Sequence, residues 1–180
     1  MTPSDANERA IRGDNVASFT INDVTLRDLR AVARIQQASF RPGLAYGLFP
    51  LTTLHLLPFV TFLVARHTET GDVLGCIIGD RHRDEVRIMN LAVHPDWRRQ
   101  GIATALLDAI GQRLPKGNIV LMAEEPNHGA IALYESEGFV RSGYERNYYG
   151  SRRNGVEMTL YRDPPPPSRN GKPTSGRIRV

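Results

Sequence analysis

From Phe19 to Tyr161 the apolar residues fall into short stretches with a two-residue repeat and longer stretches with a helical repeat. Phe19-Thr-Ile21 reads as a short strand. Asp23 or Thr25 then caps a helix whose apolar face is Leu26, Leu29, Val32, Ala33 and Ile35. Breakers and aromatics between Phe40 and Pro50 predict a loop, followed by a second helix over Leu51–Leu57. Val60–Arg66 and Val73–Asp80 predict antiparallel strands joined through Thr68–Asp72, and Val86–Val93 predicts a further strand. A helix to about Leu114, a strand over Ile119–Glu124 and a helix over His128–Glu137 stopped by Gly138 come next. Phe139–Tyr148 and Val156–Tyr161 predict two last strands, with a turn at Asn154-Gly155 between them. The prolines after Asp163 end the domain, because proline neither pairs in a ladder nor continues a helix. The expected organisation is a flexible extension over 1–18, one folded domain over 19–162 and a Pro-rich, basic, disordered tail over 163–180.

One stretch carries more than a fold. Leu91-Ala-Val-His-Pro-Asp-Trp-Arg-Arg-Gln-Gly-Ile-Ala-Thr-Ala-Leu-Leu107 reads as a buried strand, a Pro-Asp turn, then Arg98-x-x-Gly101-x-Ala103 opening an amphipathic helix. Small residues allow close backbone approach, and the first helical turn leaves N–H groups without partners. With the helix dipole and the flanking arginines, this is a cradle suited to a diphosphate. It has neither the Gly-Lys-Ser/Thr ending of a P-loop nor the glycine pattern of a dinucleotide fold.

The Arg-x-x-Gly-x-Ala pattern after a strand ending in Ala-Val resembles the acetyl-CoA motif of the GCN5-related N-acetyltransferase (GNAT) superfamily. A second block, Asn127-His-Gly-Ala-Ile-Ala-Leu-Tyr-Glu-Ser-Glu-Gly-Phe139, is similar to the family's later Asn…Ala…Leu-Tyr…Gly-Phe segment. With Arg146-Asn-Tyr-Tyr149, it most resembles the RimI-like protein N-terminal acetyltransferases. The resemblance covers roughly Phe19 to Arg162. It implies the GNAT fold, of α/β (α+β) class: a mixed central sheet of about six to seven strands flanked by about four helices.

Composition narrows the setting. A hydrophobic content of 41% in 180 residues fits one globular domain. The single cysteine, Cys76, forms no disulfide within one chain, which favours a reducing, cytoplasmic location, and its apolar neighbours predict a packed, inert thiol. No secretory signal is visible in the polar N-terminus, and Leu51–Val64 is too short and too interrupted to span a bilayer. The net charge of +4 is mild. A basic nucleic-acid binder would leave the Arg98–Thr104 cradle without a purpose, so neither nucleic acid nor membrane is expected as a partner.

The resemblance implies acetyl transfer from acetyl-CoA as co-substrate, without a metal, to an amine by direct attack. Leu91, Ala92 and Val93 would pair with the pantetheine arm as an added strand. The amides of Arg99, Gln100, Gly101, Ile102, Ala103 and Thr104 would hold the diphosphate, with charge from the side chains of Arg98 and Arg99. Asn127 would lie beside the pantetheine, and Tyr134 matches the tyrosine placed near the CoA sulfur as general acid. An attacking amine must lose a proton, directly or through water. The family's carboxylate positions fall here at Met122 and Arg87, neither of which accepts one. Glu124, two residues along the strand from Met122, shares its face and is the candidate base through water. Glu85, in the same two-residue relation to Arg87, and His128 beside Asn127 are further candidates, and a reaction without a dedicated base is open because α-amines have pKa values near 8.

For the acceptor, the resemblance places a peptide between the loop around Phe40–Phe49 and the hairpin around Tyr148–Arg153, with Tyr148 and Tyr149 bonding its backbone. The leading acceptor is a protein or peptide N-terminus. A lysine side chain or a small amine such as a polyamine stays open, as does a CoA-binding regulatory module with little catalysis. The sequence leaves monomer and homodimer equally open.

Overall fold

The computed structural model describes residues 18–162; the expected extension before Ser18 and the tail after Arg162 lie outside the described residues. In chain order the elements are β1 Phe19–Asp23, α1 Leu29–Ser39, α2 Leu48–Leu56, β2 Val60–His67, β3 Val73–His82 and β4 Glu85–Val93. They continue with α3 Ile102–Arg113, β5 Asn118–Glu124, α4 His128–Ser136, β6 Val140–Glu145 and β7 Gly155–Leu160. The strands form one seven-stranded sheet in the order β1-β2-β3-β4-β5-β7-β6. All neighbouring pairs are antiparallel except β4 and β5, so the expected mixed sheet with helices on both faces is the observed architecture.

The central strands read as continuous apolar runs because both faces of the sheet are covered. On one face Leu63, Ala65, Ile77, Val86 and Leu121 pack against Ile102, Leu106 and Ile110 of α3 and Ile131 and Tyr134 of α4. On the other, Phe62, Val64, Cys76, Ile78 and Ala92 pack against Leu29, Val32 and Ile35 of α1 and Leu51 of α2. Cys76 is fully buried and its thiol pKa is pushed up to about 12 by burial, in keeping with an inert thiol.

Several boundaries differ from the sequence reading, each for a local reason. Helix α1 begins at Leu29, not after Asp23 or Thr25. The Asp28 carboxylate turns back to accept hydrogen bonds from Thr25 N and Oγ1, both at 2.8 Å, and closes a turn before the helix. Asp23 instead pairs with Arg113, and Leu26, expected on the apolar face, is 61% exposed. Helix α2 starts earlier than expected, at Leu48, because Pro50 sits in its first turn, where no intrahelical N–H bond is lost. Strand β6 stops at Glu145, since Asn147 takes a left-handed conformation (φ 57°) and the chain enters a turn closed by Tyr149 N donating to Arg153 O at 3.0 Å. Tyr148 and Tyr149 therefore lie in a turn and not a strand, and Gly155 opens β7.

The feature that shapes the site is a bulge. Residue 78 opposes Asn90 while Gly79 opposes Ile88, so Met89 is the extra residue on β4. Pairing of β4 with β5 ends at the same place, at Ile88 opposite Leu121. Beyond it, β4 stays with β3 to Val93 and β5 stays with β7 to Glu124. Bulges bend the strand that carries them, and here two parallel strands part into a cleft.

Candidate active site

Two cavities occupy the cleft. The larger, about 610 Å³, lies between the end of β4, the start of α3 and the start of α4. The smaller, about 290 Å³, lies between the splayed parts of β4 and β5 and the loop after α1. Phe40, Leu91, Asn127, Ala130 and Tyr134 line both, so the two spaces adjoin at Tyr134.

The larger cavity has the backbone of an anion cradle. Arg99 and Gly101 both take left-handed conformations (φ 60° and 76°), which turns the chain sharply into α3. Gly101 is the N-cap residue, and with no side-chain cap the first amides of the helix keep their donors. A Cβ at Gly101 would meet open space, so the requirement for glycine there is the positive φ and not crowding. Arg98 Nε donates to the Val93 carbonyl at 3.2 Å, and Ser39 Oγ donates to the same oxygen at 3.1 Å, pinning the end of β4 beneath the turn. Across the cavity Asn127 caps α4 by accepting from Ala130 N at 3.2 Å.

Tyr134 is 8% exposed and its ring packs on Phe139 with centroids 5.6 Å apart. Burial alone raises its phenol to about 12, so it is protonated at neutral pH and able to donate. The smaller cavity is lined by Leu44, Tyr46, Met122 and Tyr149 among others, and among the described residues Glu124 is the only carboxylate lining either cavity. Its carboxylate accepts from Arg153 Nε at 2.8 Å, and that guanidinium holds the Glu124 pKa below the usual carboxylate range. The hydroxyl of Tyr149 donates to the Met122 carbonyl at 2.7 Å, which ties the hairpin onto β5.

Residues 58–141 match the family described as Acetyltransferase (GNAT) domain. The ribosomal protein bS18-alanine N-acetyltransferase of Escherichia coli K12 is 39% identical over 99 residues, covering 52% of this chain and 67% of the relative. The crystal structure of the Escherichia coli ribosomal-protein-S18-alanine N-acetyltransferase superposes with a TM-score of 0.69 at 28% identity, covering 79% of this chain and 93% of that one. Ard1 from Thermoplasma volcanium superposes with a TM-score of 0.69 at 31% identity, covering 79% and 96%. The chain belongs to the GNAT family. It is an N-acetyltransferase.

On this GNAT scaffold the sequence-assigned residues are largely brought together. Of those expected around the cofactor, all but Gln100 line the larger cavity. Glu124 and Tyr149 line the smaller one, whereas Tyr148 lines neither and packs edge-on against Tyr149 with centroids 4.9 Å apart. Arg87 is engaged by Asp80, to which Nε and Nη2 donate at 3.1 and 2.7 Å; Glu85 and His128 are exposed and line neither cavity. Phe40 and Arg153 bounded the two regions expected to flank the acceptor, but that Phe40 lines both cavities and that Arg153 grips Glu124 was not foreseen. Also unforeseen was a buried pair at the wall of the smaller cavity, in which Gln36 Nε2 donates to Asn90 Oδ1 at 2.6 Å and Asn90 Nδ2 returns a bond at 3.1 Å. A Gln in the apolar face of α1 and an Asn inside an apolar strand were the available signals, since buried amides need partners.

Proposed function

We propose that this N-acetyltransferase takes its acetyl group from acetyl-CoA and delivers it to the α-amine at a protein or peptide N-terminus. The observation that carries the reading is the meeting of the two cavities at Tyr134: a donor space with an anion cradle, and an acceptor space, share one protonated phenol. The cofactor fits what is present. A left-handed turn at Arg99 and Gly101 exposes the α3 amides beside two arginines, as a diphosphate requires. The edge of β4 facing β5 is unpaired from Met89 to Val93, as an extended pantetheine arm requires. Arg98, Arg99, Gly101, Ile102, Ala103 and Thr104 would hold the diphosphate end, and Leu91, Ala92, Val93 and Asn127 the arm. Acetyl-CoA, when bound, supplies the thioester that the amine attacks.

Within the chain, Tyr134 holds a proton at Oη for the departing thiolate. Glu124 supplies a fixed negative charge near the incoming amine and accepts its proton through water. Its lowered pKa makes it a weak base, so the reaction relies on an amine that ionises readily, and an α-amine does so near pH 8. A lysine amine, with an ordinary pKa near 10.4, would ask much more of the same carboxylate. The Escherichia coli relative acts on an alanine, which has no side-chain amine, so the acetylated nitrogen there is a backbone terminus. A polyamine acceptor is disfavoured because the single carboxylate of the cavities is already matched by Arg153.

The test is thiol release from acetyl-CoA with matched peptides: a free alanine N-terminus, the same peptide N-terminally blocked but carrying lysine, and spermidine. The expected result is turnover on the free N-terminus well above the other two. Equal or faster turnover of the blocked lysine peptide or of spermidine would overturn the reading.

A further inference from the structure

The residue that carries the attacking amine has to sit in the smaller cavity, because the amine must reach the thioester at Tyr134, where the two spaces adjoin. The walls of that cavity therefore act on the first side chain of the acceptor. At about 290 Å³ it lies at the small end of ligand pockets, with room for one residue and not for a folded loop. An alanine methyl would leave most of it to water.

The walls are apolar and reachable. Phe40, Leu44, Met89, Leu91 and Met122 line the cavity, and each is only half-buried, so apolar surface is left for a ligand to cover. Two of the chain's four methionines are among them. Met122 stands at one of the positions where the family carries a proton acceptor, and its place is made by the neighbouring strand. A Cβ at Gly155 would lie 2.5 Å from the Met122 methyl and 3.1 Å from Tyr148 Cβ, so the bare backbone of β7 makes room for the thioether. Met89 is the extra residue of the β4 bulge. Unbranched thioethers repack around apolar groups of different shape, so such a wall takes more than one large side chain.

The polar side chains of the cavity are mostly engaged within the protein. Asn90 is paired with Gln36, Asn127 caps α4, Tyr149 donates to the Met122 carbonyl and Glu124 accepts from Arg153. Arg153 lines neither cavity and its Nη2 is buried with no hydrogen-bond partner, so it matches Glu124 from outside the cavity. Among the described residues, the phenols of Tyr46 and Tyr134 are the polar side-chain groups lining the cavity that have no hydrogen-bond partner, and Tyr134 serves the thiolate. A polar or charged first side chain would give up water here with little to replace it.

We propose that the acceptor cavity selects a large apolar first residue, methionine or leucine, over alanine and over polar residues of the same length. The inference rests on the acceptor reading above and names the substrate class within it.

The experiment compares peptides identical except for a first residue of Ala, Met, Leu or Gln, together with an N-terminally blocked peptide carrying lysine. Each is measured as kcat/KM and as calorimetric affinity for the CoA-bound protein. Wild type is expected to favour Met and Leu over Ala by about tenfold or more, through KM, as added methylenes fill an apolar pocket. Met should exceed Gln, which matches it in length, by a similar factor. Met122→Gln keeps the length of the wall residue and makes it polar, and should bring the Met-over-Ala ratio to within about threefold. Leu44→Asn should lower the same ratio from the loop side of the cavity. A merely structural loss would lower all peptides alike and leave the ratios unchanged. Melting curves establish that the variants are folded, and if one is not, the wild-type ratios decide. An Ala or Gln peptide used as well as the Met peptide, or a preference that survives both variants, overturns the inference and leaves the N-terminal reading standing. If only the blocked lysine peptide turns over, the N-terminal reading fails and the inference with it. If none turns over, the order of affinities decides by the same criteria.

Discussion

Replacing Tyr134 by Phe separates chemistry from packing at the centre of the cleft. The ring belongs to the core cluster that joins α4 to the sheet, and it contacts Phe139. Its raised pKa comes from burial alone, with no hydrogen bond contributing. Removing the hydroxyl therefore strands no partner, and the folded state should change by no more than about 0.5 kcal/mol. Affinity for CoA should be within about twofold of wild type, because the cradle at Arg98–Thr104 is untouched. If the phenol protonates the leaving thiolate, kcat should drop about a hundredfold, equivalent to about 2.7 kcal/mol of barrier. Thiol release at saturating acetyl-CoA gives kcat, calorimetry gives the CoA affinity, and a thermal melt gives stability. The pH profile adds a sign. A phenol at about 12 stays protonated through neutral and mildly alkaline pH, so wild-type activity should rise through the ionisation of the amine and not decline before about pH 10. A Phe variant that keeps kcat within threefold would remove Tyr134 from the chemistry, and an alkaline decline below pH 9 would contradict its raised pKa. Tyr134→Ala is a different perturbation: it empties a core site and should cost about 3 kcal/mol or more of stability.

Three further outcomes follow from other parts of the fold. Gly101→Val places a β-branched residue at φ 76°, in a conformation valine avoids, and should weaken CoA binding at least tenfold by calorimetry while the melting temperature falls only a few degrees. Gln36→Leu leaves the Asn90 amide buried without its partner and should destabilise by about 2 kcal/mol in urea unfolding, while the Gln36→Leu/Asn90→Leu double variant should recover part of that loss; a fully additive double variant would refute the pairing argument. Burial pushes the Asp28 carboxyl up, but the hydrogen bonds from Arg66 and Thr25 outweigh it and leave its pKa lowered. The stabilisation it gives is thus present above about pH 4 and lost as pH falls through the depressed value, so melting temperatures should drop below pH 4, less steeply in Arg66→Gln.

The strand and helix periods, the Arg98–Ala103 turn and the Asn127–Phe139 block are local patterns, and they were legible along the chain. A left-handed residue at Gly101, a cap at Asn127 and a tyrosine one helical face later are short-range facts, fixed by backbone sterics and by hydrogen bonds a few residues long. That is why the expected cofactor residues line one cavity almost without exception. The family's base positions were legible as an absence, in Met122 and Arg87, with Glu124 as the candidate in their stead. What these charges meet is non-local: Glu124 meets Arg153 across 29 residues of chain, and Arg87 meets Asp80 across two strands. The cleft itself has the same character. Nothing in the residues around Met89 announces a bulge, because the extra residue is defined only against its partner strand β3, and the parting of β4 from β5 depends on that register. Sequence period determined which elements form and where the cradle lies, because those depend on near neighbours. Which charges face each other, which carboxylate is already neutralised and which guanidinium edge is left over were decided only by tertiary structure, because a pKa and a hydrogen-bond vacancy belong to a place in space and not to a position in the chain.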